Sequence, residues 1–394
     1  MLHLRSAQFF ILHQLKGKRY TYDEVTGKMN EKIRHLYIHV PFCATICSYC
    51  DFCHLAYNHD TVERWLKAFE KELEVKDINR ECETIYIGGG TPSCLGYDQL
   101  ERLLELLKPY ASSVKEYTIE INPETVDETK INIMKEYGIN RVSIGVQAKQ
   151  KRLLELMNRH HDDQMVEHVI TMFRDAGITN ISCDIMYSLP GQSMDDLKDT
   201  VEWLAGMDIP HLSLYSLTVE ENTVFGKKGF RSLDEDTEAD MYEYIRDTLK
   251  HRGYDQYEIS NYCLPDMYSR HNMGYWDYDD FYGLSMGASG KEKGIRYANT
   301  RKMSEYEHGI YISEKEELSE RDQAFEMIMM GLRKREGVNL ELFEQRFGAP
   351  LEKLFSDNFD RAMAKGYIEV NGKFMRCTDD HFEICNTVIL EFMD

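Results

Sequence analysis

Three cysteines, Cys43, Cys47 and Cys50, fall in one short segment that reads YIHVPFCATICSYCDFC from Tyr37 to Cys53. Thiolates spaced C-x3-C-x2-C in a single loop can wrap three corners of an iron–sulfur cube. The fourth iron then stays open to a ligand. Two plainer arrangements use Cys53 as well. Four cysteines can hold a zinc ion, or close a four-thiolate electron-transfer cluster. On the open-iron reading Cys53 is unliganded, because a fourth thiolate would block the site.

A second segment sharpens the choice. Residues 84–92 read TIYIGGGTP, an apolar run that ends in glycines. Glycine lets a backbone approach a ligand closely. One strand downstream of a cysteine loop, such a turn can hold an amino group with its carbonyls. Three later apolar runs carry polar residues near their ends: Glu120, Gln147 and Asp184. Each can be a satisfied core polar group. Together at the ligand-bearing end of a sheet they favour a site. Arg159 is either a surface arginine or the partner of a carboxylate. The set matches a [4Fe–4S] cluster on Cys43, Cys47 and Cys50 that chelates the methionine end of S-adenosylmethionine (SAM). An electron from such a cluster breaks the S–C5′ bond and releases a 5′-deoxyadenosyl radical. The other cysteines are scattered and read as core residues.

These residues need a scaffold, and the chain can supply one. Its 394 residues, 42% of them hydrophobic, suffice for a large domain and a smaller one. The net charge of −21 argues against nucleic acid or anionic lipid as the main partner. No apolar run approaches the roughly 20 residues of a membrane span. The run at residues 9–12 is too short for a signal peptide's core. A cytoplasmic protein is expected, with its ten cysteines reduced.

Strands are expected at 36–40, 84–87, 117–121, 141–145, 181–187 and 212–217, with helical stretches between them, including 61–76 and 97–107. Strict alternation implies βαβ units and a parallel sheet. Residues 33–220 are the expected barrel. Residues 221–316 connect and complete it, with a helix at 237–251 and an aromatic-rich, irregular stretch from 254 to about 290. Residues 317–394 read as a winged-helix-like domain, with three helical stretches, a hairpin about Asn371-Gly372 and a last helix. Residues 1–32 fit nothing downstream, and Met29 would make a natural start.

Beyond these readings, the chain resembles the oxygen-independent coproporphyrinogen III oxidase superfamily of radical SAM proteins, nearest its HemW-type haem chaperone branch. The segments that carry the resemblance are YIHVPFCATICSYCDF from Tyr37, GGGTP from Gly88, EINP from Glu120, SIGVQ from Ser143, DIMYSLPG from Asp184 and HNMGYW from His271. It spans residues 33–394. The fold it implies is α/β: a partial (β/α)6 barrel with a small helical, winged-helix-like C-terminal domain. It implies SAM contacts from Tyr37, Tyr49, Phe52, Gly89, Gly90, Thr91, Glu120, Gln147, Arg159 and Asp184. In the oxidases a further cysteine stands two residues after the third; here that place is Phe52. Their proline-bearing N-terminal segment has only a faint echo in Arg19-Tyr20-Thr21, which we discount. The family's GAH segment is Gly287-Ala288-Ser289 here, without its histidine.

The branch implies haem or porphyrin as cargo, an apo-haemoprotein recipient, and a flavodoxin- or ferredoxin-type reductant. The alternative is an enzyme that oxidatively decarboxylates coproporphyrinogen III to protoporphyrinogen IX. A third class is a radical SAM enzyme on an unrelated substrate. His271 is the candidate haem ligand, since imidazole is a common axial ligand. Tyr275 and Trp276 would give the macrocycle an apolar wall, and Arg270 would meet a propionate. The plainer reading is a packed aromatic segment whose histidine only makes hydrogen bonds.

The cysteine assignment makes a direct prediction. Purified without oxygen, the chain should be brown and carry about four irons. Cys43→Ala, Cys47→Ala and Cys50→Ala should each lose the colour, while Cys53→Ala keeps most of it. Equal loss in Cys53→Ala, read by iron content, would overturn the ligand set.

Overall fold

The computed structural model describes residues 33–393. The extension expected over residues 1–32, with its start at Met29, lies outside the described residues. All six expected strands form: β1 His35–Val40, β2 Thr84–Gly89, β3 Glu116–Ile121, β4 Arg141–Gln147, β5 Asn180–Tyr187 and β6 His211–Ser216. They lie side by side in chain order, every pair parallel.

Strand side chains alternate between faces, and here the two faces differ in chemistry. Leu36, Ile38, Ile85, Ile87, Ile119, Val142, Ile144, Ile181, Ile185 and Leu212 are fully buried on one face. Helices cover it. The helix His59–Val75 presses Val62, Trp65, Leu66 and Phe69 into the same core. Its N-cap is Asn58, whose side chain accepts from the Thr61 N–H at 3.1 Å. Each such large apolar side chain is worth about 1.5–3 kcal/mol of burial. The opposite, concave face carries Tyr86, Glu120, Ser143, Asp184 and Ser213. Register places Glu120 beside Ser143 and Asp184 beside Ser213. Strands buried on both faces usually read as continuous apolar runs. The polar row inside this barrel is therefore the departure that marks a site.

The stretch from 254 to 290, expected to be irregular, is not. It holds a seventh parallel strand, β7 Phe281–Leu284, beside β1. Asn261–Cys263 pairs antiparallel with β6. With the hairpin strands that follow β7, the sheet reaches twelve strands among the described residues and stays open at both ends there. Those of two to four residues are too short to show a period, and existing edges impose their pairing; Ile295–Asn299 and Ile312–Glu317 are longer and pair antiparallel with each other.

Between those strands the helix Arg270–Trp276 packs against the N-terminal ends of β1, β2 and β3. The Glu116 carboxylate accepts from the Arg270 N–H at 2.8 Å and the His271 N–H at 2.9 Å. Ser269 caps the same turn through the Asn272 N–H. First-turn N–H groups have no partner within a helix. Here a buried anion supplies one.

The C-terminal region has its own apolar cluster, which includes Phe343, Phe355, Met375 and Val388. Its helices include Leu340–Phe347, Ser356–Ala364 and Cys385–Leu390, with a three-stranded sheet of Val338–Asn339, Ile368–Asn371 and Phe374–Cys377. The expected hairpin forms, with its turn one residue further on. Asn371 pairs with Phe374, so Gly372, at φ 60°, takes the first central position. Among the described residues no helix is long and apolar enough to cross a membrane.

Glu116 yields a stability prediction. Glu116→Ala leaves two helix-end N–H groups, the one at His271 buried, without their acceptor, which should cost about 1–3 kcal/mol. Glu116→Gln should lose less, because an amide oxygen still accepts. Thermal melts of the two variants beside the parent check the order.

Candidate functional site

A cavity of about 1090 Å³, open solvent at its mouth included, lies at the C-terminal ends of the strands. Cys43, Cys47 and Cys50 line it beside Gly89, Gly90, Thr91, Glu120, Gln147, Arg159 and Asp184. Tyr49 and Phe52 line it as well. Tyr37 and His271 do not.

The cysteine loop is held by backbone bonds from several elements. Gly90 N–H donates to Val40 O at 2.8 Å and Thr91 N–H to Phe42 O at 2.7 Å. These strap the glycine turn across the loop's first residues. A Cβ on Gly90 would lie 2.5 Å from Phe42 O, so only glycine fits. Gly89 needs φ 113°, which side chains disfavour, and a Cβ there would strike the His39 ring. On the loop's far side Ser48 N–H donates to Met157 O at 3.0 Å, and the Asn158 amide to Ile46 O at 2.8 Å.

Burial pushes the Cys43 and Cys50 thiols up to about 12. They stay protonated near neutral pH until a metal takes the proton's place. Among the described residues no three His, Cys, Asp or Glu side chains meet around one ion-sized point. Cys53 is buried outside the cavity wall, and its carbonyl accepts from His39 Nε2 at 2.8 Å. The wall thus offers three thiols without the fourth.

Glu120 and Arg159 give the cavity one acidic and one basic group. Tyr86 OH donates to Glu120 Oε1 at 2.8 Å and Gly89 N–H to Oε2 at 3.0 Å. Burial raises the Glu120 carboxyl to about 7, against the pull of those two bonds. Arg159 donates to Asn122 Oδ1 at 2.8 Å and to the Gly145 carbonyl. Its Nε is buried without a partner. An orphaned guanidinium donor on a cavity wall suits an anionic ligand group. Ser143 Oγ donates to Asp184 Oδ1 at 3.0 Å. Burial raises the Asp184 carboxyl too. Gln147 ends β4 in a bulge against β5, with φ 68°. A bulge re-aims a side chain, and this one turns Gln147 into the cavity.

Tyr86 is the residue that sequence reasoning missed. It lines the cavity, and the two expected residues that do not reach the cavity stand behind it. The Tyr37 ring lies 6.2 Å from the Tyr86 ring, with its hydroxyl on His39 Nδ1 at 2.9 Å. The His271 ring stacks on Tyr86 at 5.1 Å. His271 is 1% exposed, and both of its nitrogens are bonded, Nδ1 to Thr84 Oγ1 at 2.7 Å and Nε2 to Tyr275 OH at 2.8 Å. Neither nitrogen can meet haem iron in this arrangement. Asn272 is the member of that helix that lines the cavity. Arg141, Ser213, Tyr215, Met186 and His54 also line it unforeseen. The only sequence signal for the strand residues among them was polarity at alternate positions.

The donor set fits a [4Fe–4S] cluster with SAM. Three thiols share the wall with a carboxylate suited to an amino group and a guanidinium suited to a carboxylate.

Comparison with known proteins agrees in both fold and sequence. Residues 37–204 match the model of the Radical SAM superfamily, and residues 318–380 that of the HemN C-terminal domain. The chain is 37% identical over 374 residues to the heme chaperone HemW of Lactococcus lactis, covering 93% of this chain and 98% of that one. The Bacillus subtilis protein of the same name is 36% identical, covering 85% and 93%. The Escherichia coli one is 31% identical, covering 91% and 97%. In structure the chain resembles the Escherichia coli coproporphyrinogen III oxidase HemN, described as a radical SAM enzyme. The TM-score is 0.81, with 18% identity and coverage of 99% and 98%. At that identity the likeness is one of fold.

The Glu120 geometry predicts a pH effect on SAM binding. Glu120→Ala should weaken SAM roughly ten- to a hundred-fold, the loss of a charge-assisted hydrogen bond of about 1.5–3 kcal/mol. In the parent, affinity should fall as pH drops through about 7, because the protonated carboxyl is a weaker acceptor for the amino group. Equilibrium binding between pH 6 and 8 should show this slope in the parent and a flat profile in Glu120→Gln. A parent profile as flat as the variant's would remove Glu120 from the amino-group site.

Proposed function

Because the chain belongs to the HemW haem chaperone family, we propose that it is a haem chaperone built on a radical SAM barrel. In this reading Cys43, Cys47 and Cys50 hold a [4Fe–4S] cluster, and the cavity holds SAM. Haem is the cargo, passed to an apo-haemoprotein in the cytoplasm, and a flavodoxin- or ferredoxin-type protein supplies electrons. A bound cluster with SAM supplies reductive cleavage of the S–C5′ bond.

One observation carries the cofactor part. Glu120 and Arg159 line a cavity that three cysteines share, the complement of an amino acid head group beside open iron. The chain's own residues divide the task. Glu120 accepts from the amino group, with Gly89 and Gly90 beside it. Arg159 takes the carboxylate through its unpartnered Nε. Asp184 and Gln147, on the same wall, would contact the rest of SAM. Tyr49 and Phe52 give apolar walls.

The oxidase reading shares this cavity. What favours the chaperone is Phe52, which fills the place of the oxidases' further cysteine, together with full-length similarity to HemW proteins.

The test is a pair of assays on the reconstituted full chain. Haem titration should give a Soret band. Incubation with coproporphyrinogen III, SAM and reductant should give no protoporphyrin fluorescence; a strong signal would move the chain to the oxidases. His271→Ala should leave the Soret band unchanged, since its ring is engaged on both sides. Loss of the band with SAM binding retained would restore His271 as the axial ligand.

A further inference from the structure

Each of the three loop sulfurs has a side-chain hydrogen-bond donor, and the three come from different places. Thr91 Oγ1 stands 3.8 Å from Cys43 Sγ. Arg159 Nη1 stands 3.8 Å from Cys47 Sγ. His54 Nδ1 stands 3.9 Å from Cys50 Sγ. Two of these donors have other duties. Thr91 sits in the glycine turn and accepts from the Asn122 amide at 3.3 Å. Arg159 braces Asn122 and the Gly145 carbonyl and is given the SAM carboxylate in the reading above. His54 has no part in the SAM contacts above, yet it lines the same cavity.

We propose that His54 is a positioning and tuning residue for the cluster: its ring N–H donates to the Cys50 sulfur and raises the cluster's reduction potential. The assignment rests on the reading that Cys43, Cys47 and Cys50 hold a [4Fe–4S] cluster.

The direction follows from charge. A sulfur bound to iron carries no proton and can only accept. The proton of this contact must therefore sit on Nδ1, which fixes the tautomer. Reduction adds an electron to a cluster whose thiolates are already anionic. A donor on the sulfur stabilises the reduced state more than the oxidised one, so the potential rises. Arg301 pins the loop beside this contact, its Nη2 donating to Asp51 O at 2.9 Å. The ring has one competing acceptor, the Phe52 carbonyl. The Phe52 N–H itself bonds the Cys50 sulfur, so that sulfur is already an acceptor. Once it is a thiolate, its negative charge makes it the stronger acceptor for the ring proton.

The experiment is an EPR-monitored reductive titration of the anaerobically reconstituted full chain, without SAM, on the parent, His54→Leu and His54→Gln. The midpoint should fall in His54→Leu, and His54→Gln, which keeps an amide N–H, should lie between. In parent chain labelled with ¹⁵N-histidine, the reduced cluster should show a histidine nitrogen coupling that His54→Leu lacks. Equal midpoints in all three proteins at equal iron content would overturn the assignment. Should His54→Leu lose its iron, the labelled parent decides alone, and a four-iron parent without that coupling sinks the assignment. A parent that binds no iron would sink the cluster reading, and the assignment with it.

Discussion

Two backbone hydrogen bonds hold the cavity together: Gly90 N–H to Val40 O and Thr91 N–H to Phe42 O. They tie the turn after β2 to the chain leaving β1. Everything ligand-bearing on that side then has a fixed place, with Cys43 one residue past Phe42 and Thr91 within reach of its sulfur. The bonds exist only because Gly90 presents no Cβ to the Phe42 carbonyl. A glycine here permits close contact between two strand ends. The loop that follows is long and irregular, and it is pinned again at Ser48 and Ile46 by the Met157–Asn158 turn. A cluster loop fastened at both flanks can hold three thiols apart at set positions before any metal arrives.

The barrel interior bears the cost of that site. Glu120, Asp184, Arg141 and Arg159 all lie on its wall. Burying a charge is unfavourable unless it is paired or hydrogen-bonded. The structure answers with short local bonds, Tyr86 and Gly89 on Glu120, Ser143 on Asp184, Asn122 and Gly145 on Arg159. Those bonds leave the carboxyl groups of Glu120 and Asp184 raised all the same. The remaining penalty is what a ligand with complementary charges would relieve. This is why the same residues read as a weak point in folding and as a strong point in binding.

The likeness to HemN shows how far a shared fold constrains function. The barrel and the C-terminal region superpose across nearly the whole chain. Chemistry is decided by side chains on that frame. Phe52 on the cavity wall is one such side chain. The helix Arg270–Trp276 is another place where identity and position must be read together. It packs at the N-terminal strand ends, opposite the mouth of the cavity, and touches the site only through Asn272 and through the stack of His271 on Tyr86.

The six strands, the cysteine loop, the glycine turn and the polar strand ends were all legible in the sequence. Each is a local signal: a spacing of four and three residues, a period of two, a glycine run after an apolar one. The same held for the hairpin near Gly372, though its turn moved by one residue. The strands of two to four residues were not legible, because so few residues carry no period and their pairing is set by the strand they meet; Ile295–Asn299 and Ile312–Glu317, though longer, were not read either. Nor was the facing of the Arg270–Trp276 helix. A seven-residue helix is too short for an apolar stripe to be read from its sequence. Contacts with Thr84 and Glu116, more than 150 residues away, turn His271 into the core and leave Asn272 at the cavity. Tyr86 and His54 belong to the same class. Tyr86 looks like one apolar strand residue among several, and only the neighbouring strand brings Glu120 to its hydroxyl. His54 is a histidine near cysteines in the sequence; the folding of the loop is what sets its ring against one particular sulfur.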